Sequence, residues 1–336
     1  MIVWLLLFVV FTASLGGTFL LRRYALAKSL IDIPNERSSH VIPTPRGGGV
    51  AIVIAFLVTI PLLATLNLLS TAALFGLFGS GLIVALIGFA DDHGHIAARW
   101  RLLGHFLAAA WAIFWLGGIH EVNFFGVAVQ LGWLGTIWTA LYLVWMLNLY
   151  NFMDGIDALA SAQAICVCVS ICIVYWLGGE TDLIWAPLVL AAAVLGFLCW
   201  NFPPAKIFMG DAGSGFLGVV LASLSVQSAA QTTEFLWSWL ILMGVFIVDA
   251  TFTLMCRLMT GHKVYEAHRS HAYQKAAMKF GRHGVVTFSV IAINVFWLLP
   301  IAVLSVGSDY GSIYLILAYA PLIWLAFRFK AGSDRV

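Results

Sequence analysis

Charge is what this 336-residue chain has least of: only 10% of its residues are Asp, Glu, Lys or Arg, against about 25% in soluble domains. With 62% of the residues hydrophobic, that shortage excludes a water-soluble globular class, because so apolar a surface has to face lipid. Cysteine is scarce too. The five present, Cys166, Cys168, Cys172, Cys199 and Cys256, all lie in apolar stretches without a C-x-x-C pair, so they read as packing residues. An H-E-x-x-H helix and a G-x-x-x-x-G-K-[ST] loop are both missing, which leaves zinc without a ligand set and argues against a P-loop nucleotide site. There is no low-complexity tract and no inverted internal repeat, and nucleic acid is not an expected partner.

What is present is a succession of long apolar runs. The first, MIVWLLLFVVFTASLGGTFLLRR, has no basic residues ahead of its apolar core and carries Arg22 and Arg23 behind it. It therefore reads as a first span and not as a cleaved signal. Counting runs of about twenty residues places spans at residues 2–21, 48–66, 70–90, 102–118, 131–149, 158–177, 183–200, 213–230, 235–256, 285–306 and 311–327. The expected architecture is all-α: one polytopic domain over residues 1–336 with about eleven transmembrane helices. If the loop at 22–47 is cytoplasmic, so are 91–101, 150–157, 201–212, 257–284 and the tail, and all 17 Lys and Arg then fall on one side. The other side keeps only acids such as Glu121, Glu180, Asp182, Glu234 and Asp309. Positive charge on the inside thus predicts an outer amino terminus, a cytoplasmic carboxyl terminus and chemistry at the cytoplasmic face of a bacterial inner membrane.

Three cytoplasmic span ends carry acids. GFADDHGH closes one with Asp91 and Asp92, NLYNFMDGIDALAS carries Asn148, Asn151, Asp154 and Asp157, and NFPPAKIFMGDAGSGFLG sets Asp211 among glycines. A solvated helix end explains a lone Asp pair. Four polar groups three residues apart, with the first three on one helical face, instead need water, a cation or phosphate. Around Asp211, Gly210, Gly213 and Gly215 permit a tight turn and close backbone approach, while Lys206 and Ser214 offer a cation and a hydroxyl at an expected helix start. Carboxylate and amide oxygens without thiolates favour a hard cation, Mg²⁺, with Mn²⁺ as a substitute.

Two loops supply anion binders. RLMTGHKVYEAHRSHAYQKAAMKFGRHG holds six Lys or Arg and four His; Lys275, Lys279 and Arg282 suit anionic lipid headgroups. In HRSHAYQ, Arg269 can fork onto phosphate oxygens beside His268 and His271. NERSSHVIPTPRGGGVA offers Arg37, Ser38, His40 and Arg46 ahead of a glycine-led span. Anion and cation binders on one face imply a substrate whose phosphates are bridged by metal, such as a diphosphate.

The blocks GFADDHG, NLYNFMDGIDALAS, NFPPAKIFMGDAGSGFLG, RSSHVIPTPRGGG and HRSHAYQ resemble the signature motifs of the bacterial polyprenyl-phosphate N-acetylhexosamine-1-phosphate transferases, over about residues 30 to 285. The resemblance implies transfer of a sugar 1-phosphate from a UDP-N-acetylhexosamine to undecaprenyl phosphate with release of UMP, at the start of O-antigen or other surface-polysaccharide synthesis. It further implies metal binding by Asp211 with Asn151, catalytic parts for Asp91, Asp92, Asp154 and Asp157, and substrate contacts from His268, Arg269, His271, Arg101, Lys206 and Arg46. Asp249, inside the ninth span, matches a family acid as well, although a helix-packing hydrogen bond explains it equally well. Two departures leave the sugar open among GlcNAc, FucNAc and QuiNAc: HRSHAYQ stands in place of H-x-H-H, and Ala158 where Gly is usual. Membrane lipid is the remaining partner, and a homodimer stays open. A secondary transporter would also use intramembrane acids and about ten to twelve spans, but places the acids near the midplane; a non-catalytic scaffold leaves the glycine-flanked acids unexplained.

Overall fold

The computed structural model describes residues 2–34, 42–94, 96–262 and 268–333, so Arg37, Ser38 and His40 lie outside the described residues. Helices make up most of it: α1 Ile2–Ala27, α2 Val50–Thr65, α3 Thr71–His93, α4 Ala98–Leu116, α5 Trp133–Met153, α6 Leu159–Leu177 and α7 Trp185–Asn201. They continue with α8 Asp211–Ala229, α9 Thr233–Leu242, α10 Gly244–Met259, α11 Ala272–Phe280, α12 His283–Ile293, α13 Leu299–Leu304 and α14 Gly311–Arg328. Two short antiparallel pairs sit in loops, β1 Ile31–Asp32 with β2 Thr44–Pro45 and β3 Glu121–Phe124 with β4 Val127–Gln130. Among the described residues, seven helical stretches are long and apolar enough to cross a bilayer, eight if α9 and α10 form one span. The chain is a multi-pass membrane protein. Each stretch expected to span is helical, but α2, α4 and α5 fall outside that count, α2 because it has only 16 residues.

Helix ends overrun the expected loops. Helix α3 continues through Asp91 and Asp92 to His93, and α4 resumes at Ala98, so the loop expected at 91–101 shrinks to four residues. Helix α5 likewise carries Asn151. An apolar run stops where lipid stops, whereas the backbone ladder continues until a residue leaves helical geometry, here Gly94 with φ −161° and ψ 140°. The span expected at 235–256 is not straight either. It breaks at Met243, with α9 and α10 inclined by 71°. At the break, Gln163 of α6 donates from Nε2 to the Leu242 carbonyl at 3.1 Å, and Asn294 Nδ2 donates to Gln163 Oε1 at 2.7 Å. Such side chains satisfy backbone groups freed by a kink in an apolar interior.

Helix α8 is the axis, buried along nearly its whole length, with α2, α3 and α5 packed around it. Gly88 of α3 lies against the first peptide of α8; a Cβ there would come within 2.5 Å of the Asp211 carbonyl. The two helices therefore meet backbone to backbone. One turn later on the same face of α3 stands Asp92.

Candidate active site

Asp92 spends both carboxylate oxygens on α8. Oδ1 accepts the Asp211 N–H at 3.1 Å and Oδ2 the Ala212 N–H at 3.2 Å. Two of the orphan donors at the α8 start are thus satisfied by a side chain from another helix. Gly210, the residue before α8, has φ +79°, and a Cβ there would lie 2.7 Å from Asp92 Oδ2; glycine is required for both reasons. Arg46 approaches the same turn, donating from Nη2 to the Asp92 carbonyl at 2.6 Å.

Asp211 is delivered by this cap to the first turn of α8, where it meets three other elements. Asn151 of α5 donates from Nδ2 to Asp211 Oδ1 and to Ser214 Oγ, each at 2.9 Å. Arg101 of α4 lies 3.6 Å from Asp211 Oδ2 and 2.5 Å from Asp91 Oδ2. Asp91 also accepts the Ile96 N–H at 2.8 Å. Two like charges this close are held together by the guanidinium between them. Asn148, one turn before Asn151, turns instead to the Val144 carbonyl and to His105.

Below this cluster lies a cavity of about 230 Å³, lined by Arg46, Asp92, Asn151, Asp154, Asp157, Asn201, Asp211, Ser214 and His283 among others. Asp154 sits just past the end of α5 and not on the helical face that the three-residue spacing predicts. Burial, followed by the neighbouring charges of Asp211, Asp92 and Asp157, pushes its carboxyl well above the usual range. Asp157 is tied down on two sides: Oδ1 is 3.2 Å from His283 Nδ1, and Oδ2 accepts the Ala205 N–H at 3.1 Å. The next residue, Ala158, is the buried N-cap of α6 with φ +62°. Its N–H donates to Asn201 Oδ1 at 3.0 Å, while Asn201 Nδ2 donates to the Ile207 carbonyl at 3.0 Å. Asn201 thereby joins the loops that carry Asp157 and Asp211.

The histidine stretch borders this cavity without lining it, apart from Gln274. His271 is the buried N-cap of α11, its Nδ1 3.3 Å from Asp249 Oδ1, and Asp249 accepts the Ala272 and Tyr273 N–H groups at 2.9 Å each. Asp249 thus caps α11 from α10 as Asp92 caps α8 from α3. His268 Nδ1 is 2.9 Å from Ser270 Oγ, and the half-buried Arg269 keeps a buried Nε without a hydrogen-bond partner. Tyr273 donates its hydroxyl to the Phe152 carbonyl at 2.9 Å, fastening α11 to the last turn of α5. Burial, with the charges of Asp249 and Asp154, holds that hydroxyl well above its ordinary pKa. Lys206 stands apart, its ammonium 5.5 Å over the Trp200 ring and its carbonyl accepting from Arg22 Nε at 3.2 Å.

Sequence reasoning missed Asp32, Asn201 and His283 as cavity residues. Asn201 was visible in NFPPAKIF as a polar residue closing an apolar run; Asp32 and His283 carry no such signal. Among the described residues no three His, Cys, Asp or Glu converge on one metal position. A cation here would rest on Asp211 and Asp91 with neutral oxygens from Asn151 or Ser214, leaving other positions open. Such a hard-oxygen set fits Mg²⁺.

A membrane bundle that gathers acids, guanidinium groups and a polar cavity at its helix ends has the parts of an enzyme that handles charged groups. Residues 74–229 match the family model of glycosyl transferase family 4. The chain is similar to members of that family over this stretch. It is 29% identical over 308 residues to the probable undecaprenyl-phosphate N-acetylglucosaminyl 1-phosphate transferase of Bacillus subtilis, covering 89% of this chain and 84% of the relative. It is 28% identical over 302 residues to the decaprenyl-phosphate N-acetylglucosaminephosphotransferase of Mycobacterium leprae, covering 79% and 73%. A phospho-N-acetylmuramoyl-pentapeptide-transferase of Streptococcus pyogenes is 29% identical over 238 residues, covering 67% and 69%. The protein is accordingly a phosphotransferase.

Proposed function

We propose that the protein moves the sugar 1-phosphate of a UDP-N-acetylhexosamine (UDP-GlcNAc, or a deoxy relative such as UDP-FucNAc or UDP-QuiNAc) onto undecaprenyl phosphate and releases UMP, opening O-antigen or other surface-polysaccharide synthesis. One observation carries this reading: Asp91, Asn151 and Asp211, from three separate helices, meet with Arg101 beside the mouth of a polar cavity. The names of the relatives support the substrate classes. Eleven crossings, with the amino terminus outside and the carboxyl terminus cytoplasmic, would set the site at the cytoplasmic face of the inner membrane. Support comes from parity, because the site and its surrounds are built from the carboxyl ends of α3, α5 and α7 and the amino ends of α6, α8 and α12. A transporter is disfavoured, since these acids lie at helix ends and not mid-span.

Mg²⁺ held by Asp211 and Asn151, with Asp91 nearby, would neutralise phosphate charge and orient the reacting groups. The residues themselves have clear work. Arg101 holds the Asp91 carboxylate fixed beside Asp211, where Asp91 orients the lipid phosphate or receives its residual proton. Little proton transfer is needed, because a phosphate monoester has a second pKa of about 6. An oxygen of the lipid phosphate attacks the sugar-bearing phosphorus, the bond from that phosphorus to the bridging oxygen breaks, and UMP leaves with the electron pair. Arg46 and the cavity polar groups hold the nucleotide end. Direct displacement inverts the configuration at phosphorus, and a route through an aspartyl-phosphate retains it.

The test uses membranes or purified protein with undecaprenyl phosphate and radiolabelled UDP-GlcNAc, UDP-FucNAc and UDP-QuiNAc in parallel. A butanol-soluble labelled product together with UMP is expected from one of them. Absence of product from all three overturns the reading.

A further inference from the structure

A second cavity, of about 290 Å³, lies behind the site between α10, α11, α12 and α14. Its walls are almost wholly apolar, from Val248 and Ala276 to Val290, Leu322 and Ala326, and at its rim stand the aromatic rings of Phe280 and Phe329. An apolar space of this size that opens between two lipid-facing helices does not stay filled with water. A chain of methylenes matches it.

The rim is basic. Lys279 Nζ lies 6.0 Å over the Phe280 ring and 5.7 Å over the Phe329 ring, so an ammonium stands beside the opening. Lys279, Arg328 and Lys330 are exposed, and among the described residues none of the three pairs with a carboxylate. Lys275 Nζ donates to the carbonyls of Lys330 and Ser333 at 2.9 and 2.6 Å, which fastens the end of α14 beside α11 and keeps these charges together. An apolar slot with a cationic rim at the end of a bundle fits an amphiphile with an anionic head.

We propose that this cavity is a binding site for an anionic phospholipid, one acyl chain lying in the slot and the phosphate at Lys279 and Lys330. It is separate from the proposed substrate site and does not depend on which sugar is transferred. Its back wall includes Asp249 and Tyr273. Those are the residues that cap α11 and fasten it to the last turn of α5, so an occupied slot braces that side of the site.

The experiment compares thermal unfolding of the full chain in nanodiscs of phosphatidylcholine with and without phosphatidylglycerol, and counts retained phosphatidylglycerol by native mass spectrometry. Wild type is expected to unfold at a higher temperature with phosphatidylglycerol and to retain it. The Lys279→Gln/Lys330→Gln protein is expected to lose that shift while unfolding like wild type in phosphatidylcholine. Ala326→Leu, or Ala276→Leu if the first does not fold, is expected to lose it by filling the slot. A shift absent from wild type, retained in the charge variant or in the filled variant, or reproduced by soluble glycerol phosphate would overturn the proposal.

Discussion

Asp92 and Asp211 are joined through the backbone of one and the carboxylate of the other: Asp92 Oδ1 accepts the Asp211 N–H at 3.1 Å. Adjacent acids on α3 therefore have different tasks, since Asp92 points at the α8 start while Asp91 pairs with Arg101 at 2.5 Å. Losing a helix cap costs about 1–2 kcal/mol. Asp92→Ala should lower the unfolding temperature and abolish turnover, because the helix that presents Asp211 frays. Asp91→Asn should leave the unfolding temperature near wild type and lower kcat alone. Equal destabilisation by both substitutions in a thermal-shift assay would contradict this division.

That division was out of reach of the sequence, in which DD reads as one feature. Apolar runs located every helix except α11, which lies within the loop expected at 257–284, and the glycines around Asp211 announced a close approach, because both signals are local. The pairing of Gly88 with Asp211, the cap from Asp249 to Tyr273 and the tie from His283 to Asp157 are long-range, and nothing near His283 or Asp32 marks them. The break at Met243 was hidden for another reason. An apolar window has the same composition whether straight or bent, and the side chain that stabilises the bend, Gln163, lies on α6.

Ala158 occupies the left-handed region at φ +62° while fully buried. An L-residue there costs about 1–2 kcal/mol, partly offset by the lower chain entropy of alanine relative to glycine. Ala158→Gly should unfold at the same temperature as wild type or slightly higher. Ala158→Val, β-branched in the same conformation, should be destabilised by more than about 2 kcal/mol. A glycine variant less stable than the valine variant would rule out strain at this position.

Asp154 has the opposite signature, a carboxyl held well above its ordinary 3.8 by burial and three neighbouring acids. The folded state therefore binds this proton more tightly than the unfolded state. That stability is fully present below the unfolded value of 3.8 and is lost as pH rises through the folded one. In metal-free protein, Asp154→Asn should be more stable than wild type at pH 7 to 8, and the gap should close as the buffer is made acidic. Turnover should fall in the same variant if the carboxylate serves the reaction. Parallel melting curves for the two proteins across that pH range would remove Asp154 from the group of strained acids.

Asp211 faces a like charge from Asp91 with Arg101 as its only described cation, at 3.6 Å. A divalent ion would relieve that crowding and would be held by the oxygens that crowd it. Mn²⁺ offers a readout independent of turnover, because its electron paramagnetic resonance signal broadens on binding. Wild type should bind Mn²⁺, and Mg²⁺ should displace it. Asp211→Asn should weaken binding at least about tenfold, a loss of 1.4 kcal/mol or more. Asn151→Ala should weaken it less, as a neutral ligand contributes less charge. EDTA should silence wild-type turnover, and excess Mg²⁺ should restore it. If Asp211→Asn and wild type bind Mn²⁺ alike, the ion sits elsewhere, and the carboxylate pair must be neutralised by Arg101 alone.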